Sequence, residues 1–296
     1  MTSTSTLRIA GWLFVAAAAV SAPFIVHPLF AMQILCFALF AAAFNLLAGY
    51  LGLISFGHAA FFGVGAYISG YAVRRHGVYF AMITLALAQL VYFICHQAPF
   101  TGGEDGMAGI PRGYLFGVVS LSNNLVMYCF VLAIVSASLF VIYRVVNSPF
   151  GLLLQAIRDN DRRATSLGYE IERAKLVAFI LSAGLTGLAG AIKAIVFQFA
   201  SQTDILWSTS GVPVLASLIG GIGTLPGPVI GAAVMVALEN LLGGLGQWVF
   251  FVQGAIFVFV VMFFRKGIYG EVLDFVARRR APRDGEPKLN AAAAHH

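Results

Sequence analysis

Charge is what this sequence has least of: 10% of its 296 residues are Asp, Glu, Lys or Arg, while 60% are hydrophobic. A soluble domain carries about 25% charged residues. The scarcity excludes a water-facing surface over most of the chain and makes it an integral membrane protein. Lysine is scarcer still, confined to Lys175, Lys193, Lys266 and Lys288. None of them follows the G-x-x-x-x-G that builds a phosphate-cradling loop. No cofactor is expected, and any ATP used must be bound by partner subunits. H-E-x-x-H, G-x-S-x-G and paired carboxylates are missing too, so the sequence supports no hydrolytic or metal enzyme. The three cysteines, Cys36, Cys95 and Cys129, lie in apolar runs without ligand spacing and read as packing residues, which leaves no metal site. Alternation of the outer-membrane-barrel kind is also lacking.

What is present is a succession of apolar runs long enough to span a bilayer, about 20 residues each. They cover 9–26, 30–50, 78–98, 125–145, 175–200, 228–245 and 249–264. Stretches 52–73 and 211–225 are rich in glycine and ambiguous, and the second is short for a crossing. Broken segments at bilayer depth are tolerated only where protein or a water-filled cavity covers them, so both point to a pathway. The expected fold is an all-α polytopic bundle of about eight to nine membrane segments, with these two as candidates for re-entry. The first run resembles a signal peptide, but Pro23 follows the would-be cleavage site and further spans follow, so it reads as a retained span.

The net charge of +6 does not mark a nucleic-acid binder, because the basic residues are scattered between apolar runs. They mark orientation instead. Arg144, Arg158, Arg162, Arg163, Arg173 and Lys175 form one cluster, and the tail after Phe264 forms another. Both belong on the cytoplasmic side, as does the pair Arg74–Arg75. That arrangement requires 211–225 to cross, or one of its neighbours not to. Loop 99–124, with a single arginine, falls outside.

Two small-residue stripes at helical spacing stand out: Ala59, Gly63, Ala66, Gly70, and Ala183, Gly187, Gly190, Ala194. Such stripes let helices approach closely in lipid, so tight crossings are expected there. An ionisable group in the membrane is a functional candidate by default. Glu239, with Asn45, His58 and Gln89, gives the candidate pathway. Lys193 is placed to snorkel outward, and Asp204 to be solvated in an outer loop.

The most informative stretch is polar, residues 147–179. Ser148 can cap a helix with Pro149 at its first position. Asn160 or Asp161 can cap a second short helix, stopped at Gly168 in the left-handed conformation. Leu153, Ile157, Ala164 and Leu167 have no large domain to bury them. They sit beside Arg158, Arg162 and Arg163. The alternative to a protein partner is the lipid surface, which Asp159, Asp161, Glu170 and Glu172 disfavour. Arg158, Asp159, Asn160, Arg162, Arg163, Leu167 and Gly168 are therefore the candidate docking residues, the arginines orienting charge pairs and Leu167 filling an apolar groove.

Seven ordered motifs carry a resemblance. They are N-L-L-A-G-Y-x-G-x-x-S-F-G-H-A-A-F-F-G-V-G-A-Y, G-V-Y-F-A-M-I-T-L-A-L-A-Q, T-G-G-E-D-G, S-P-F-G-x-x-L-Q-A-I-R-D-N, S-L-G-Y, K-L-V-A-F-x-L-S-A-G-L-T-G-L-A-G and L-I-G-G-I-G-T-L-P-G-P-V-I-G-A. Together they resemble the LivM-type permease of branched-chain amino-acid ABC importers. The resemblance implies an inner-membrane subunit paired with a LivH-type permease, two cytoplasmic ATPases and a periplasmic binding protein. Residues 1–277 would be the permease domain, with coupling segment 148–175, and 278–296 a disordered tail. Compared with that family, one apolar segment is missing before Arg74, so either the topology is inverted at the start or 52–73 is a re-entrant hairpin on the cytoplasmic side. A rival reading from composition alone is a stand-alone secondary transporter or channel using Glu239.

Overall fold

The computed structural model describes residues 27–53, 78–97, 106–112, 114–115, 119–206, 208–242, 254–255, 257–258, 262 and 267–271. The predicted first span, His58, the stripe Ala59–Gly63–Ala66–Gly70 and the tail 278–296 lie outside them.

Helix α1, Pro28–Asn45, opens with proline at its first turn, where the missing N–H costs nothing. It continues through a π-helical turn, Leu46–Leu51, which Gly52 closes at φ 76°. Together these 24 residues reach about 36 Å, enough to cross hydrocarbon. Helix α2 is Val78–Gln97. Helix α3, Asn124–Val146, is capped by Asn123, whose side chain accepts from Leu125 N at 3.0 Å. Two short helices follow, α4 (Pro149–Asp159) and α5 (Asp161–Ser166), then the long α6, Ile171–Phe197. Helices α7 (Gly211–Gly220) and α8 (Pro226–Leu242) form a hairpin.

Among the spans, α1 is the central one. Its apolar window is 83% buried against 33% for α3 and 39% for α6, so the outer faces of α3 and α6 are left for lipid or a partner. Met32 and Leu39 of α1 pack with Tyr128 and Val131 of α3 and Ile192 of α6. Ser182 donates to the Ala43 carbonyl at 2.5 Å where α6 crosses α1. The α7–α8 hairpin is joined backbone to backbone. A Cβ on Gly220 would overlap the Gly227 carbonyl, and one on Gly231 the Ala216 carbonyl.

Contacts at the helix ends fix their directions. The end of α1 meets Arg158 of the basic segment. Near the start of α2, Ile83 and Leu87 pack against the cluster holding Leu154 and Ile157. At its end, His96 Nδ1 lies 3.1 Å from Gln202 Oε1 in the outer turn. The segment expected to be re-entrant, 52–73, lies outside the described residues beyond Leu53. Helix α7 has only ten residues, about 15 Å. The loop after it reaches Asn45 near the end of α1. Outside, strand β1 (Met107–Ala108) pairs with β4 (Phe199–Ala200), and β2 (Tyr114–Leu115) with β3 (Val119–Ser120). Arg112 ties this layer down, donating to Asn124 Oδ1 at 2.9 Å and Val196 O at 2.8 Å.

Candidate coupling site and outer cavity

The coupling segment is built as its caps dictate. Ser148 Oγ accepts from Gly151 N at 3.4 Å, and Asn160 Oδ1 accepts from Arg163 N at 3.0 Å. Gly168 ends the second turn at φ 84°. The expectation of four unburied apolar side chains needs correction. Ile157 and Ala164 are buried, Leu153 partly so, against Leu47, Leu51, Ala178 and Phe179. The amphipathic α4 docks its apolar face on the bundle itself. What stays exposed is Leu167 at 70%, with Leu152 and Tyr169. Arg162 and Arg163 are also exposed. A polar cleft of about 800 Å³ lies beneath α5, lined by Arg162, Tyr169, Glu172 and Lys175 among others.

Arg158 faces the bundle, although it was expected to face a partner. Its Nη1 donates to the Gly49 carbonyl at 2.5 Å, and its stem lies over Gly52, where any Cβ would crowd Arg158 Cγ. Its contact with Asp159, at 3.5 Å between half-exposed and exposed groups, contributes little. Asn45, expected on a pathway, is buried, with Nδ2 donating to Thr224 O at 2.8 Å and Oδ1 accepting from Gly223 N at 3.1 Å. The π-helical turn thus links α4, through Arg158, to the α7–α8 loop, through Asn45. Irregular turns of this kind are frequent at functional sites. Lys175, almost wholly buried, reaches Asp161 at 2.7 Å and pins α5 to α6.

In the outer half, a cavity of about 430 Å³ lies between α1, α2 and α6. Gly187, Gly190 and Ala194 line it. Among the described residues, a Cβ on Gly190 would meet nothing within 4 Å. Of the four stripe residues expected at a tight crossing, these three border a space, while Ala183 packs against the cluster holding Ala178 and Phe179. Asp204 is not merely solvated and Lys193 does not simply snorkel; they pair at 2.6 Å. Gln89 is half-buried on α2, and Glu239 half-buried on α8. Neither is among the residues that line the cavity. No group of three or more His, Cys, Asp or Glu side chains among the described residues could hold a metal.

Residues 71–261 match the model of a family described as the branched-chain amino acid transport system permease component. The chain belongs to this family. Its similar relatives include the high-affinity branched-chain amino acid transport system permease protein LivM of Escherichia coli K12, at 24% identity over 76% of this chain. The chain spans 65% of that relative's length. A probable LivM of Methanocaldococcus jannaschii is 25% identical over 55% of this chain and 48% of its own. The autoinducer 2 import system permease protein LsrC of Salmonella typhimurium is 29% identical over 55% and 49%. No solved structure matches.

For this branched-chain permease family member, sequence reasoning placed the caps of the short helices after Asn147 and missed the contacts that hold them to the bundle. Arg158 and Gly49 are 109 positions apart, and Asn45 and Thr224 are 179 apart. The Lys193–Asp204 and Lys175–Asp161 pairs left a legible signal, opposite charges 11 and 14 positions apart across a helix end.

Proposed function

We propose that this chain is one permease subunit of an ATP-driven importer of branched-chain amino acids or similar small polar solutes. It has about eight to nine membrane segments and lies in a bacterial inner membrane. A related LivH-type permease completes the pathway, two ATPases dock on the cytoplasmic side, and a periplasmic binding protein delivers substrate. Support comes above all from one observation: the segment presenting exposed Leu167 is tied rigidly to the bundle by Arg158 on the Gly49 carbonyl. Displacement of α4 by a docked ATPase then moves the π-helical turn and, through Asn45, the α7–α8 loop.

Reconstitution in proteoliposomes with the partner permease, ATPases and binding protein tests this. ATP inside the coupling compartment should drive L-leucine uptake. Uptake by this chain alone, driven by a proton gradient and abolished in Glu239→Gln, would instead establish the stand-alone transporter.

A further inference from the structure

The outer cavity carries chemistry that the coupling account does not use. Its volume of about 430 Å³ falls within the range of small-molecule sites. Its walls are largely apolar, with Phe37 and Phe40 from α1 and Val91 from α2. Thr186 lines it, is 5% exposed, and among the described residues its Oγ1 has no hydrogen-bond partner. Hydroxyls in membrane helices ordinarily bond a backbone carbonyl. Ser182 does so at Ala43 and Ser217 at Pro213. Among the described residues Thr186 does not, and a buried hydroxyl left unbonded is disfavoured.

The second feature is the ion pair. Lys193 and Asp204 border the same cavity, 2.6 Å apart, with side chains 27% and 36% exposed. Lys193 Nζ also sits 5.2 Å from the Phe37 ring centroid. Adjacent opposite charges beside an apolar wall complement a molecule with the same three parts.

Resting on the permease reading above, we propose that this cavity is a transit site for a small zwitterion with an apolar side chain. The ligand's carboxylate takes Lys193 and its ammonium takes Asp204, replacing one ion pair by two. Its side chain lies on Phe40 and Val91, and the Thr186 hydroxyl supplies a further hydrogen bond. A neutral polyol or a singly charged solute would break the pair without replacing it, so the site selects by charge pattern.

Native cysteines supply the probe, because Cys95 lines the cavity. In the full complex carrying Cys36→Ser and Cys129→Ser, the rate of Cys95 alkylation by N-ethylmaleimide is measured with L-leucine, 4-methylpentanoate or 3-methylbutylamine. L-leucine at ten times its half-saturating concentration should slow labelling about tenfold, and neither singly charged analogue should. Thr186→Ser should keep the protection, whereas Thr186→Val and Lys193→Gln should lose it while the ATPases stay bound. Unprotected Cys95, or equal protection by the analogues, in a preparation that still imports L-leucine on ATP overturns the transit site and leaves the permease reading standing. Loss of ATPase binding by the unmodified chain overturns the permease reading, and the transit site with it.

Discussion

Removing Asp161 should damage the coupling segment more than removing its partner Lys175, although both changes delete the same 2.7 Å ion pair. The asymmetry follows from burial. The Lys175 side chain is 4% exposed and that of Asp161 is 31% exposed. Asp161→Ala strands an ammonium where water cannot reach it, and breaking a buried pair in this way costs about 3–5 kcal/mol. It also removes a negative charge from the first turn of α5, adding about 0.3–1 kcal/mol. Lys175→Met leaves a carboxylate that water can partly rehydrate, so about 1–2 kcal/mol is expected. The double variant should recover most of the first loss, keeping only the helix-end contribution.

The damage should be local, because only α5 is held by this pair. Hydrogen exchange of amides 161–169 in detergent measures it. A difference of about 2–3 kcal/mol between the single variants is roughly a 30- to 150-fold difference in local opening. Equal exchange in the two single variants, or a double variant as open as Asp161→Ala, would refute the reasoning.

Other perturbations probe other joints. Asn45→Ala leaves Gly223 N and Thr224 O without the partners they have at 3.1 and 2.8 Å, about 2–4 kcal/mol. The apparent melting temperature should fall by roughly 5–10 °C; an unchanged melt contradicts the joint. Arg158→Ala removes a charge-assisted bond from a side chain 42% exposed, so about 1–1.5 kcal/mol after discounting for solvent. ATP-driven uptake should drop about 5- to 10-fold while bound ATPase stays constant; parallel loss of both would make Arg158 a docking residue. Gly231→Ala sets a methyl into the Ala216 carbonyl and should abolish a monodisperse species in size-exclusion chromatography. Gly190→Ala, which meets no described atom within 4 Å, should elute normally.

Local chemistry was legible and distant pairing was not. Ser148, Asn160 and Gly168 were placed correctly because a cap or a left-handed turn depends on residues within three or four positions. The stripe Gly187–Gly190–Ala194 failed for the complementary reason. Helical period assigns a face, but what lies opposite depends on how α1, α2 and α6 are arranged. The same holds for Ile157 and Ala164, whose burial required knowing that α4 folds back on the end of α1. Arg158 showed charge in the sequence, and charge alone does not distinguish a residue reaching outward from one clamped on a buried carbonyl.

The central claim is that the segment around Leu167 docks ATPases for a permease, and co-purification tests it most directly. The chain is expressed with its partner permease and ATPases, extracted in mild detergent, and the ATPase retained per permease is measured for the native chain and for Leu167→Asp. Leu167 is 70% exposed, so the substitution leaves the fold intact and desolvates a charge only when a partner covers it. The account predicts full retention by the native chain and loss from Leu167→Asp. Equal retention by both, or none by either, would contradict it.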